Sequence, residues 1–344
     1  MGVYRVQGNQ IVHQSQPNAV APTATFQAVG PGLPLTVQIK HVYTGRFPNN
    51  PGNSANMLVT SSIKSLDTFN ASAEAVNFLM PKQHSRKDYV SPPADQNGTP
   101  LVCYVPAVTA VSTTITFNLV FQRFDDSILS TISSVFSGAA SIPLFLSASP
   151  YLIGATSVLK LAGDIGDAIF NGTPDFSPTV VLNFSDPTDP VQQSGFLVLF
   201  KDEEDRTLDP SSLTLETEAG RHGLIDPSTN RLYAGPAPYI VISIDGTKQD
   251  SLTSFAPTAA TASILAKFFN IKDGGPIPTQ DVMEALKVAN DLKYRKEAIH
   301  LQGEINNASD DDKLILQKQL DAVIKNILNE ELRPKPQVMA AANE

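Results

Sequence analysis

The segment LTVQIKHVY, residues 35–43, decides how the rest of the chain is interpreted. Side chains of a β-strand alternate between its two faces, so residues two apart share a face. Apolar and polar side chains separate on this basis, with Leu35, Val37, Ile39 and Tyr43 on one face and Thr36, Gln38 and Lys40 on the other. The segment TTITFNLVFQ, residues 113–122, repeats the alternation with Ile115, Phe117, Leu119 and Phe121 on its apolar face. Both patterns predict half-buried strands.

Further short strands are predicted on both sides of these two segments. Gly8-Asn9 separates two short alternating runs, which is the sequence signature of a tight β-hairpin. Residues 56–65 and 101–108 are weaker strand candidates, and later strands are predicted at 179–184, 195–200, 222–235 and 239–245. Segments rich in Pro, Gly and Asn separate the strands, and these are the residues that form turns. We therefore expect a mainly β protein built on an antiparallel β-sandwich.

The strands and helices divide the chain into five parts. We expect sandwich strands in 1–122, an apolar helical hairpin in 123–172, further strands in 173–250, helices in 251–332 and a flexible tail in 333–344. The second group of strands either completes the first sandwich or forms another one. One discontinuous unit is favoured, because four or five short strands make a thin domain. This order of elements resembles C2-type and related β-sandwiches, and a resemblance of architecture does not imply a function.

Composition narrows the classes of partner. The chain carries 34 acidic and 25 basic side chains, a net charge of -9, which argues against binding to nucleic acid or anionic lipid because both are polyanions. Cys103 is the only cysteine and lies in the apolar run LVCYV, so we expect a buried thiol and no intrachain disulfide. The N-terminal residues lack the basic start and apolar block of a secretory signal, and a cytoplasmic location is expected.

The stretch 127–159 contains no charged side chain, although 17% of the chain is charged. Its apolar runs are short and interrupted, unlike the ~20 apolar residues that span a bilayer. Pro143 and Pro150 divide it, and the spacing predicts two amphipathic helices whose polar faces carry Ser and Gly. We expect these helices either to pack on the sandwich or to form an interface with a partner protein or a second copy, and the candidate interface residues are Ile132, Val135, Phe136, Phe145 and Tyr151. The alternative is a membrane-active protein that inserts the 127–170 hairpin on a trigger.

Apolar residues recur with helical spacing beyond residue 258. Ser309, followed by Asp312 three residues later, predicts a helix N-terminus of the capping-box type. The helix that follows carries a clear apolar stripe, and with the preceding helix it is expected to form an antiparallel hairpin. Such a stripe needs a cover, which makes its residues candidates for an interface: Leu316, Leu320, Val323 and Ile327.

The sequence carries no motif for catalysis, phosphate binding or a zinc site. Two acidic loops give a candidate Ca²⁺ site, because Ca²⁺ prefers clustered carboxylate oxygens. Its residues are Asp186, Asp189, Asp202, Asp205 and Asp209. No cofactor is expected.

These patterns favour a non-enzymatic binding or assembly protein whose helical elements contact a protein partner or a second copy. Nucleic acid is not an expected partner, and a membrane is not favoured. Three alternatives stay open: the membrane-active protein, a Ca²⁺-dependent sandwich module, and a hydrolase. A hydrolase site would be assembled only by folding, for example from His84 or His222 with loop carboxylates.

Overall fold

The computed structural model describes residues 2–7, 10–13, 26–47, 55–65, 72–83, 89–90, 98–109, 113–122, 144–145, 174–184, 194–201, 209–216, 223–252, 255, 259 and 280–334. Most of these residues lie in antiparallel strands, and two α-helices follow near the C-terminal end. The prediction of a mainly antiparallel β protein with C-terminal helices is therefore confirmed. The finer arrangement, a C2-like sandwich, stays a prediction.

The described strands form two sheets. In chain order they are β1 Gly2–Gln7, β2 Gln10–His13, β3 Leu35–Tyr43, β4 Ala55–Lys64, β5 Ser72–Gln83, β6 Tyr89–Val90, β7 Leu101–Val105, β8 Thr113–Gln122, β9 Leu144–Phe145, β10 Thr179–Leu182, β11 Gly195–Phe200, β12 Thr214–Leu215, β13 Leu224–Asp226, β14 Arg231–Leu232 and β15 Tyr239–Asp245. The larger sheet has the order β14-β13-β12-β2-β1-β11-β15-β3-β6, with β7 also paired to β3, and the smaller one has the order β10-β8-β4-β5-β9.

The first hairpin of the chain follows its sequence signature. β1 and β2 pair antiparallel, with Gln7 opposite Gln10, so two residues connect them. The predicted strands at 179–184, 195–200 and 239–245 likewise correspond to β10, β11 and β15. Local alternation and turn residues were sufficient to find these strands, because each pairs with a neighbour through a simple antiparallel ladder.

Both sheets contribute side chains to one hydrophobic core. The larger sheet supplies Leu35, Val37 and Ile39 of β3 and Ile240 and Ile242 of β15, and the smaller sheet supplies Met57, Val59, Ala75 and Phe78. Cys103 is buried in the same core as a free thiol. Since burying one large aliphatic side chain is worth about 1.5–3 kcal/mol, this cluster is the main source of stability of the β region.

A β-bulge in β3 corrects one prediction. Ile39 pairs with Ile242 and His41 pairs with Val241, so Lys40 between them is an extra residue in the ladder. Because a bulge shifts the alternation by one residue, Val42 joins Leu35 in the shared core. Tyr43 instead enters a second, aromatic cluster with Tyr239 and donates its hydroxyl hydrogen to the carbonyl of Gly235 at 2.8 Å. The prediction that Tyr43 shares the face of Leu35 was wrong.

The helical part is a hairpin of α1, Gln280–Asn307, and α2, Asp310–Lys325. A short 3-10 turn, Glu330–Leu332, follows it. Within the part of the chain that the structure describes, neither helix combines the length and the apolar composition needed to cross a membrane. The predicted helices of 127–170 lie outside the described residues. The structure describes only β9 of that segment, which lies in sequence between the two predicted helices. β9 pairs with β5.

Candidate functional site

The hairpin owes its turn to the cap that the sequence predicts. Ser309 has extended backbone angles, and its hydroxyl oxygen accepts the amide hydrogen of Asp312 at 3.4 Å. The same hydroxyl donates to a carboxylate oxygen of Asp312 at 2.5 Å. An oxygen acceptor at this position stabilises a helix because the first amides of the helix have no partner within it. The cap thus stabilises the start of α2 directly after the two-residue break between the helices.

The inner faces of the two helices form a small core of their own. Tyr294, Ala298 and Leu301 of α1 recur at helical spacing and pack against Leu320 and Val323 of α2 and Ile327 just beyond it, with Leu316 partly buried beside them. The four predicted interface residues, Leu316, Leu320, Val323 and Ile327, therefore belong to the core between the helices. Their apolar surface holds the hairpin together, so a surface for a partner has to be sought elsewhere on it.

A buried carboxylate closes the open end of the hairpin. Asp291 of α1 is 4% exposed, and its two oxygens accept the amide hydrogens of Leu328 and Asn329 at 3.0 and 2.9 Å. Arg333 adds a bond from its Nε to the carbonyl of Ile327 at 3.0 Å. Hydrogen bonds to a charged acceptor are stronger than neutral ones, so Asp291 ties the segment after α2 to α1.

The hairpin is attached to the β region through α2. Asn326 donates to the carbonyl of Ala107, just beyond β7, at 2.7 Å. Ala322 is fully buried beside Gly32, whose φ is +79°. A side chain at Gly32 would lie 3.2 Å from the carbonyl oxygen of Lys318, so the close approach of α2 to this loop depends on glycine. These contacts show that α2 packs on the β region with one face and on α1 with another.

Three large apolar side chains lie exposed on the outer face of α1. Val288, Leu292 and Ile299 are 46%, 47% and 52% exposed. At 100° per residue their positions fall within about 40° of one another around the helix, on the side away from Tyr294 and Leu301. We call these three residues the α1 stripe. Of the eight large exposed hydrophobic side chains among the described residues, five lie in the hairpin and a sixth follows it: Val288, Leu292, Ile299, Leu314, Ile315 and then Leu328.

Charge is distributed unevenly along the hairpin. Residues 287–296 include four basic side chains and one acidic one, whereas residues 297–312 include five acidic side chains and no Lys or Arg. Arg295 and Lys296 are exposed and lie beside the α1 stripe, and none of the ion pairs between described residues includes either of them. The effect of a helix macrodipole falls off within the first and last turns, so of these charges only Glu304, in the last turn of α1, opposes it.

The tip of the hairpin is acidic and contains an open groove of about 440 Å³. The lining residues come from the end of α1 and the start of α2: Glu304, Asn307, Ala308, Asp312, Ile315 and Leu316. Leu314 and Ile315 are exposed beside these carboxylates. We call this region, residues 304–315, the acidic tip. The charge of the hairpin therefore changes from cationic at residues 287–296 to anionic at the tip.

The remaining predicted site residues lie elsewhere. Phe145 is buried in the shared core and packs edge to face against Phe255 at 5.5 Å. Asp209 caps the 3-10 turn Pro210–Ser212, and the hydrogen bonds from Ser211 lower the pKa of that carboxyl. Among the residues that the structure describes, no group of three or more His, Cys, Asp or Glu side chains could hold a metal ion. Other candidates lie outside the described residues: Ile132, Val135, Phe136, Tyr151, Asp186, Asp189, Asp202 and Asp205.

Sequence reasoning did not single out the α1 stripe. The signal was present, because α1 carries two apolar series at helical spacing, one through Tyr294 and Leu301 and one through Leu292 and Ile299. A helix that packs on a single neighbour buries one stripe. The second series therefore lies outside the packing between the two helices.

Comparison with known proteins found no relative of this chain. The chain matches no protein-family model, no curated protein and no solved structure.

Proposed function

We propose that this chain is a non-enzymatic binding or assembly protein that makes protein–protein contacts through its C-terminal helical hairpin. One observation carries the proposal: Val288, Leu292 and Ile299 are about half exposed in line on a helix that is already packed on its other side. Leaving such a stripe in water forgoes part of the ~1.5–3 kcal/mol that burial of each side chain offers. Aligned exposed hydrophobic side chains are characteristic of interaction surfaces.

The β region acts as the scaffold in this proposal. We propose that its two sheets form an antiparallel sandwich of C2-like architecture, which is supported by a core that draws on strands of both sheets. The hydrogen bond from Asn326 to Ala107 and the close packing at Gly32 hold the hairpin against this scaffold, with α1 on its outside. A net charge of -9 favours a protein partner over nucleic acid, and a cytoplasmic location is part of the proposal.

Site-specific photo-crosslinking in cells tests this function. A photoreactive amino acid replaces Ile299 in one variant and Val181 of β10 in a matched control, because both side chains are about half exposed, at 52% and 54%. The proposal predicts discrete protein adducts at position 299 and few at position 181. Equal adduct formation at both positions, or none at position 299, would contradict it.

A further inference from the structure

We propose that the α1 stripe binds an acidic amphipathic helix of a partner protein, a helix whose apolar row is flanked by Asp or Glu side chains. The inference rests on the proposed function and names the chemistry of the partner. Its basis is the presence of two exposed cations among the exposed apolar side chains on one face of α1.

Arg295 and Lys296 lie between the last two members of the α1 stripe. Each is three or four residues from both Leu292 and Ile299, and residues at these spacings are neighbours on a helix surface. At 100° per residue, Arg295 lies about 40° to one side of the centre of the stripe and Lys296 about 60° to the other side. Both side chains are exposed, and none of the ion pairs between described residues includes them. The apolar row therefore has a cation on each side.

The acidic side chains of this part of α1 lie away from the two cations. Residues 287–303 include two of them, Asp291 and Glu297. Asp291 is buried, and its carboxylate accepts two backbone amide hydrogens from the segment after α2. Glu297 lies about 160° around the helix from the centre of the stripe. Carboxylates of a partner are the groups that complement Arg295 and Lys296, and a guanidinium binds a carboxylate through two parallel hydrogen bonds.

The spacing of the stripe fits a helix as the occupant. Val288, Leu292 and Ile299 are separated by four and then seven residues, which is the spacing of d and a positions in a coiled coil. Arg295 occupies the d position between Leu292 and Ile299, and Lys296 occupies the flanking e position. Charges at flanking positions select the partner helix in coiled coils, so a helix with apolar a and d positions and acidic flanks matches this face.

A protein helix fits this face better than an anionic membrane or nucleic acid does. The acidic tip belongs to the same hairpin, and residues 297–312 include five acidic side chains that an extended polyanionic surface would repel. Recognition of anionic lipid by basic residues uses clusters of about four to eight Lys or Arg side chains, whereas two flank the stripe. A helix can place its carboxylates at these two cations alone.

The size of the face sets the expected strength. A helix that covers only the outer face of α1 buries less than the ~800 Å² per partner of a standard interface. We therefore expect binding in the micromolar range or weaker. Salt should weaken it further, because exposed charges are screened.

Fluorescence anisotropy of labelled peptides, titrated with the full chain, tests the inference. Both peptides span about three heptads with Leu at a and d; one carries Glu at e and g, and the other carries Lys there. Like charges at these positions prevent each peptide from pairing with itself. The Glu peptide should bind at least about tenfold more tightly than the Lys peptide, and the double variant R295E/K296E should reverse this order.

Matched control variants separate this contact from general effects. K64E/K248E makes the same change in net charge at exposed positions of the β region and should keep the preference for the Glu peptide. Leu292→Ala should weaken binding of the Glu peptide several-fold, whereas Leu314→Ala, at an exposed position of α2, should leave it unchanged. The inference is overturned if the Glu peptide does not bind, if both peptides bind equally, or if the preference persists in R295E/K296E.

Photo-crosslinking at position 299 distinguishes failure of this inference from failure of the proposed function. The partner segments joined there should carry Asp or Glu beside an apolar row. Adducts with a second copy of the chain, or with segments that lack carboxylates, would retain the proposed function and overturn this inference. Sedimentation of the wild type with phosphatidylserine vesicles, abolished by R295E/K296E, would identify anionic lipid as the occupant and also overturn it. The absence of adducts at position 299 would overturn both.

Discussion

Two leucines of the hairpin should respond very differently to truncation. Leu320 of α2 is 5% exposed and packs between the helices, whereas Leu292 of α1 is 47% exposed on the outer face. Leu320→Ala removes three buried carbons, worth about 0.8 kcal/mol each, and leaves a cavity. The expected loss of unfolding free energy is about 2–5 kcal/mol. Leu292→Ala removes carbons that are half in water and creates no cavity, so a loss of about 1 kcal/mol or less is expected.

Urea unfolding followed by far-ultraviolet circular dichroism measures this pair of substitutions. Hydrogen exchange of the α2 amides is the second readout, because the hairpin can unfold locally while the β region stays folded. Leu320→Ala should raise exchange throughout α2, and Leu292→Ala should leave it close to that of the wild type. Equal destabilisation by the two variants would refute the reasoning, because it would mean that the outer face of α1 is part of the folded core.

Three further predictions concern the hairpin itself. Asp291→Ala should lower the free energy of unfolding by about 2–4 kcal/mol, because the amides of Leu328 and Asn329 lose a charged acceptor. Hydrogen exchange at those two amides should rise, and unchanged exchange would contradict the role given to Asp291. Ser309→Ala should lower the free energy of unfolding by about 1 kcal/mol, whereas Ser309→Asp keeps an oxygen acceptor and should keep most of the stability. Thermal unfolding of the two variants measures the difference. Burial raises the pKa of Glu297 above its usual range against the opposing effect of Lys293 and His300. The folded state then binds the proton more tightly than the unfolded state, so the contribution of Glu297 is full below the unfolded pKa and is lost as pH rises through the folded pKa. Glu297→Gln should therefore stabilise the chain at pH 7 and have little effect at pH 4. A larger stabilisation at pH 4 than at pH 7 would contradict this prediction.

The sequence pattern predicted most of the strands discussed above, and it failed where the pairing of two strands departs from regular alternation. β1 and β2 followed from Gly8-Asn9, and β3 followed from its alternation as far as Ile39. The face of Tyr43 could not be predicted, because the bulge at Lys40 arises from pairing with β15, which lies about 200 residues further along the chain. Sequence alternation assumes an unbroken ladder, and a bulge is decided by two strands together.

For the helical hairpin, the sequence predicted which residues are covered but not what covers them. Ser309 and Asp312 predicted the start of α2, and the stripe through Leu320 and Ile327 predicted that one face of α2 is covered. The cover turned out to be α1 of the same chain, which a single helical pattern cannot specify. The uncovered residues, Leu292 and Ile299, became identifiable only after the inner face of α1 was assigned to Tyr294 and Leu301.

Hydroxyl-radical footprinting of the side chains, compared between the purified chain and the chain in cell lysate, tests the outer face of α1 most directly. The account predicts that Leu292 and Ile299 are less reactive in lysate than in the purified chain, while Val181, similarly exposed on the β region, keeps its reactivity. Unchanged reactivity of Leu292 and Ile299, or an equal fall at Val181, would contradict it.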